Sequence, residues 1–257
     1  MKNINLNSDI GEGFGVYDIG NDTEMLKIVN SANIACGFHA GDPNVMDRVV
    51  KQSIKNGVSI GAHPGFNDLW GFGRRQIQMS TDEIEASVAY QIGALQAISA
   101  TNNAIVTHVK PHGALNNMSS LDSDIAAAIA RGVNLVNPKL ILVAVYGSFL
   151  FSAGQALGLT VAAEAYADRS YEDDGNMTSR KYDHAMIKDP ERAAAQVRNI
   201  VINGYIIANS GKKVPVKADT ICIHGDEPTG PAVAQAVRKM LESEGIAVKP
   251  LPDLKLV

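Results

Sequence analysis

Seven short apolar runs recur along the chain: Ile4–Ser8, Ala32–Cys36, Val58–Ala62, Ala104–Val109, Leu140–Val145, Leu159–Glu164 and Thr220–His224. Helix-period segments separate most of them, a rhythm that predicts repeated βα units and a mainly parallel sheet. The 257 residues suit one α/β barrel, which needs about 250. With 46% hydrophobic and 19% charged residues the chain can bury a full core, and only 5% aromatics favours tight helix-on-sheet packing over a sandwich. The expectation is one TIM-like (β/α) barrel over residues 1–257, seven-stranded and irregular, of class α/β.

Local signals mark the helix ends. Asp42-Pro43 and Asp189-Pro190 each set an N-cap acid before a proline at the first helical position, and Ser80-Thr81-Asp82-Glu83 fits a capping box. Gly57, Gly158, Gly204 and Gly245 can take the left-handed conformation that stops a helix. Residues 205–217 break the rhythm. Tyr-Ile-Ile-Ala, Asn-Ser-Gly-Lys-Lys and Val-Pro-Val predict a small added hairpin, with Pro215 on an edge strand.

Composition narrows the partners. A net charge of −4 without a basic stripe argues against nucleic acid. No apolar run approaches the ~20 residues of a membrane span, and residues 1–7 lack a signal-peptide core, so a cytoplasmic protein is expected. Cys36 and Cys222 both lie in apolar runs and read as buried free thiols.

The polar residues carry the functional signal. In parallel α/β folds the site lies at the C-terminal ends of the strands. Five of the six histidines fall there: His39, His63, His108, His112 and His224, with His184 elsewhere. Period two puts Asn3, Asn5, Asn7 and Asp9 on one face of the first strand, opposite Ile4 and Leu6. The same parity joins His108 with Lys110, Glu164 with Tyr166 and Asp168, and Cys222 with His224 and Asp226, though turns at Pro111 and Gly225 can break it. Glycine clusters at residues 11–15, 37–41, 61–65 and 71–73 allow close backbone approach to a small ligand. None has Walker A or Rossmann spacing, so the chain shows no recognisable nucleotide cradle of its own.

These motifs resemble the LamB/YcsF family. The matching blocks are Asn7-Ser8-Asp9-Ile10-Gly11-Glu12-Gly13-Phe14-Gly15, then Asn33 to Pro43, then Gly61-Ala62-His63-Pro64-Gly65 with Gly71 to Arg75. Val109-Lys110-Pro111-His112-Gly113-Ala114-Leu115, Glu164 to Arg169 and Ile223-His224-Gly225-Asp226 complete the series. Phe66-Asn67-Asp68-Leu69 departs from the expected Tyr-Pro-Asp type loop. The resemblance implies a barrel similar to the glycoside hydrolase/deacetylase superfamily. It implies ATP-dependent 5-oxoprolinase activity, in which 5-oxoproline, ATP and water give L-glutamate, ADP and phosphate. It also implies partner subunits B and C.

Lactam opening needs a base for water, a proton for the leaving nitrogen and positive charge or donors for the oxyanion. Asp9, His63, Lys110, His112 and Asp168 are the catalytic candidates and are expected to face one cavity. Asn7, Glu12, His39, Arg74, Glu164, Arg169 and His224 are candidates for substrate binding. Arg74, Arg75 and Arg169 could grip a carboxylate in bidentate fashion, while Glu164 could instead form a buried ion pair with Arg169. Asp9, His63 and His112 are the candidate ligands of a divalent metal. A zinc site from Cys36, His39, Cys222 and His224 is disfavoured, because Cys36 and His39 point opposite ways. Lys110→Met is expected to damage turnover with little loss of melting temperature. Two other readings compete: a metal-dependent deacetylase of sugars or amides, and a non-catalytic ligand-binding barrel.

Overall fold

The period-two pattern of the first strand is realised from Ile4 onward, while Asn3 at its start is exposed. In the computed structural model, which describes residues 2–256, β1 (Asn3–Ile10) turns Ile4, Leu6 and Ile10 outward, fully buried against helices. It turns Asn5, Asn7 and Asp9 inward. Around the barrel follow β2 (Ser31–Ala35), β3 (Ser59–His63), β4 (Val106–Val109), β5 (Ile141–Val145) and β6 (Val161–Tyr166). Two short strands, β7 (Tyr205–Ile207) and β8 (Lys213–Pro215), form the antiparallel hairpin expected at residues 205–217, outside the barrel. The chain then returns as β9 (Thr220–Cys222), which lies between β6 and β1 in parallel register, Glu164 opposite Thr220 and Asn7 opposite Cys222. Seven parallel strands thus close on themselves, as the seven runs predict. A further strand, β10 (Ala247–Val248), pairs with the start of β1.

The helices lie where their caps place them. Asp42 caps α2 (Pro43–Asn56) through Asn44 and Val45 N–H, and Gly57 ends it at φ 67°. Ser80 and Glu83 form the capping box of α3 (Thr81–Thr101), whose Ile84, Val88, Ile92 and Leu95 are buried. Asp189 caps α7 (Pro190–Arg198), and Gly204 sits at φ 74°. Among the described residues no helix is long and apolar enough to cross a membrane.

The barrel interior is layered. At its base Leu251 packs on Ile141, Val143 and Ala162. Above it lies a neutral polar layer in which Asn5 Nδ2 donates to Ser31 Oγ (2.8 Å) and Thr220 Oγ1 donates to Asn5 Oδ1 (2.7 Å). Ser31 and Ser59 hydroxyls meet at 2.6 Å. Buried amides and hydroxyls are tolerated here because they satisfy one another. Higher up, His108 leans across the interior over Gly61, where an added Cβ would come within 2.2 Å of its ring. The charged residues begin above this level.

Candidate active site

The mouth of the barrel opens into a cavity of about 590 Å³ lined by Asp9, Glu12, His63, Lys110, His112 and His224, among others. The side chains fall into two groups that meet at His63.

The first group surrounds Lys110, which is 2% exposed. Its Nζ donates to Asp9 Oδ1 (3.0 Å) and Cys222 Sγ (3.0 Å) and lies 3.1 Å from Glu164 Oε1. The Tyr166 ring lies 5.3 Å away. Burial alone would lower the ammonium's pKa, but Asp9 and its other neighbours reverse this and hold it well above the usual value. Burial would likewise raise the Asp9 carboxyl. His63 and Lys110 outweigh that and hold it well below the usual carboxylate range. Burial keeps the Cys222 thiol protonated. Beneath them Asn7 Nδ2 donates to Glu164 Oε1 (3.1 Å), and Asn33 Nδ2 donates to both Asn7 Oδ1 (2.7 Å) and Asp9 Oδ1 (3.0 Å). Asp9 and Lys110 are therefore both charged and fixed in place.

The second group is histidine-rich. His63 Nδ1 lies 2.6 Å from the Lys110 carbonyl, which can only accept, so Nδ1 carries the proton. His112 Nε2 lies 2.8 Å from the Phe72 carbonyl and carries its proton for the same reason. Phe72 reaches that position at φ 54°, unusual for a bulky residue, so backbone strain goes into aiming this carbonyl. Gly73 follows because a Cβ there would come within 2.6 Å of His39 and 2.8 Å of His112. His39 stacks on His112 with centroids 3.7 Å apart and planes 5° from parallel. Its Nε2 lies 3.0 Å from Glu12 Oε1. Burial pushes His39 and His112 well below the usual imidazole value, and holds Glu12 above the usual carboxylate range. His63 differs. Burial would lower it, but Asp9, 3.3 Å from its Nε2, raises it on balance.

Asp9, His63, Lys110 and His112 share the cavity as expected. Asp168 does not line it. Its carboxylate accepts from the His224 backbone N–H (2.9 Å) and lies 2.9 Å from His224 Nδ1, so it orients His224, which does line the cavity. Glu164 pairs with Lys110 rather than Arg169. Arg169 lines the cavity and donates to the Thr178 (2.6 Å) and Ala185 (3.4 Å) carbonyls. Asn7 and His39 stand behind the lining. Arg74 lines it and pairs with Asp226 at 2.9 Å, whereas Arg75 is tied to Asp68. Of the candidate metal ligands, Asp9 lies 3.3 Å from His63 Nε2 as well as 3.0 Å from Lys110 Nζ. The ligand atoms of His63 and His112 also gather with those of Glu12 and His39, all within 4.8 Å. Asp9 groups with Cys222 and His224.

Several lining residues were not among the candidates. Asn33, buried beneath the lining, was missed as well; it follows Ser31 at period two, a signal that could have placed it beside Asn7. Asn176, Thr178, Ser179, Arg180 and Lys181 form one wall. No local pattern marks them, because the hairpin holds that loop through Asn209 Nδ2, which donates to Thr178 Oγ1 (2.8 Å).

The chain has clear relatives in sequence and in structure. The 5-oxoprolinase A-subunit of Natranaerobius thermophilus is 49% identical over 251 residues, 98% of each chain. That of Rhodopseudomonas palustris is 50% identical over 248 residues, 96% of this chain and 98% of that one. The crystal structure of the lactam utilization protein of Thermus thermophilus superposes with a TM-score of 0.92 at 42% identity, covering 97% of this chain and 99% of that one. A deacetylase solved with substrate shares the barrel alone, with a TM-score of 0.50 at 14% identity over 98% of this chain and 89% of that one. The LamB/YcsF family model matches residues 4–256, and the chain belongs to that family.

Proposed function

We propose that this chain is the lactam-opening subunit of an ATP-dependent 5-oxoprolinase, acting with partner subunits B and C. The observation that carries the reading is the Asp9–His63 contact on the cavity wall beside the Lys110 ammonium. The names of the relatives supply the substrate class.

Opposite pKa displacements divide the labour. Asp9 is held as a carboxylate and takes a proton from the attacking water. His63, raised by Asp9, gives a proton to the ring nitrogen as the carbon–nitrogen bond breaks. Lys110 supplies positive charge for the developing oxyanion. Arg74, Arg169 and Arg180 line the cavity and suit the substrate carboxylate. His112 and His224 complete the wall, with Glu12 and His39 behind His112 and Asp168 behind His224. Asn7 and Glu164 fix Lys110 from below. The oxyanion formed from the lactam carbonyl accepts the γ-phosphoryl group of ATP as ADP leaves, the carbon–nitrogen bond breaks to give an acyl phosphate, and a second water cleaves that to glutamate and phosphate; the phosphoryl transfer is assigned to the partner subunits because this chain shows no recognisable nucleotide cradle.

The test is 5-oxoproline turnover with and without ATP, by this chain alone and by the three subunits together. Glutamate should appear only with ATP and all three subunits, and calorimetry should find no micromolar ATP site on the isolated chain. Turnover by subunits B and C alone would remove the role given to this one.

A further inference from the structure

The protons on His63 and His112 raise a problem that the reaction does not resolve. Each ring directs its N–H to a backbone carbonyl, Lys110 for His63 and Phe72 for His112. In the neutral rings the remaining nitrogens, His63 Nε2 and His112 Nδ1, carry lone pairs, and they face each other at 3.0 Å with the ring planes at 85°. Two lone pairs at that separation in a buried site repel unless a cation joins them. A proton could join the two nitrogens, and Asp9 Oδ2, 3.3 Å from His63 Nε2, meets one of them, but here a third ligand atom converges on both. Glu12 Oε1 lies 3.3 Å from His112 Nδ1 and 3.9 Å from His63 Nε2. Ligands bonded at about 2.0–2.2 Å to one ion sit about 3.0–3.5 Å apart, so a small movement of Glu12 completes the triangle.

We infer that Glu12, His63 and His112 form a binding site for one divalent first-row transition-metal ion on this subunit. Two imidazoles and one carboxylate on one side of an ion suit zinc, cobalt, iron or manganese better than magnesium or calcium. Each histidine has the backbone partner that a metal-bound imidazole uses to fix its tautomer. All three residues line the cavity, so the remaining coordination positions face it. His39 is a positioning residue. Its ring is parallel to His112 and 3.7 Å above it, so its Nε2 cannot aim at an ion in the plane of His112, and it holds Glu12 instead. The inference concerns what the isolated chain binds and stands whether or not the substrate is 5-oxoproline; with the ion bound His63 Nε2 is a ligand, so the proton-donor role proposed above belongs to the chain without the ion.

The experiment is titration of the chelator-treated isolated chain with cobalt(II), followed by its visible d–d spectrum and by equilibrium dialysis. One equivalent should bind, with a spectrum that zinc(II) abolishes. Glu12→Gln, which keeps the side chain's shape, and His112→Asn should each weaken cobalt binding by more than the roughly 10–100-fold expected for outer residues. His39→Ala should weaken it within that roughly 10–100-fold range and keep the one-to-one stoichiometry. Asp9→Asn should also keep it. Circular dichroism and melting of every variant exclude misfolding. No saturable cobalt uptake by folded wild-type chain would overturn the site and leave a shared proton as the bridge. Loss of the ion in Asp9→Asn but not in Glu12→Gln would overturn this ligand set.

Discussion

The lower interior of the barrel and its mouth solve the same problem in opposite ways. Both place polar groups where water is scarce. Below, Asn5, Ser31, Ser59 and Thr220 are neutral and satisfy one another, so their interactions hold at any pH at which the protein folds. Above, Asp9, Lys110 and Glu164 are buried around one another, and the histidines beside them are pushed to either side of their ordinary pKa. Charge in a dry place is costly unless fully paired. A barrel needing only a polar filler could have continued the amide and hydroxyl pattern of its base. The change from neutral to charged side chains between Asn5 and Asp9 marks where stability gives way to chemistry.

The sharpest way to break this contrast is Lys110→Met. The structure corrects the expectation that this variant would spare stability. Lys110 is enclosed, and its loss leaves Asp9 and Glu164 facing each other without a cation. Such a loss costs about 3–5 kcal/mol, so thermal melting should show a large drop together with loss of turnover. A melting temperature near that of wild type would show that the mouth is wetter than its geometry implies. Asp9→Asn should do less to stability, because the amide oxygen still accepts from Asn33 and Lys110 keeps Glu164. Turnover by the assembled subunits should fall roughly 10²–10⁴-fold. An assembled complex turning over at the wild-type rate would remove Asp9 from the chemistry.

The smallest effect concerns His108, just below the charged layer. Burial, reinforced by Lys110, lowers its pKa to about 3. A folded-state value below the unfolded one of roughly 6.5 means that stability is fully present above that pH. It is lost progressively as the pH falls toward 3. His39 and His112 contribute with the same sign, and the raised His63 with the opposite one. His108→Gln should therefore melt with a shallower fall between neutral pH and the acid range. Equal pH slopes in the two proteins would show that His108 is not held neutral.

Much of this was legible in the chain because strand parity is a strict rule. Asn5, Asn7 and Asp9 had to share a face once Ile4 and Leu6 were given to the helices, and the seven runs became the seven barrel strands. Parity fails where strands end. Asp168 lies two residues past Tyr166, yet it turns to His224 and leaves the cavity lining to Arg169. Glu164 takes Lys110, from two strands away around the barrel, and no local pattern reports such a pairing. His63 and His112 were recognised, but Glu12, which meets both, was placed only among the substrate-binding candidates. That meeting depends on the path after β1, where Gly11 at φ 73° carries the chain to Glu12. The wall at residues 176–181 depends on the hairpin that supports it, so its sequence alone is silent.

The pairing of β1 with β9 also bears on the order in which the protein can be completed. Asn5 meets Thr220 and Asn7 meets Cys222, contacts separated by more than two hundred residues. The strand that supplies Asp9 leaves the ribosome before the other strands of the barrel, yet one of its edges has no neighbour until β9 emerges. Closing so long a loop is slow, and an unpaired strand edge invites other chains to pair with it. Until then Cys222 and His224 are absent from the mouth, so a nascent chain cannot hold the finished arrangement around Lys110. Chaperone protection during synthesis should therefore matter most for this one edge, and an interrupted translation product should be both inactive and prone to aggregate.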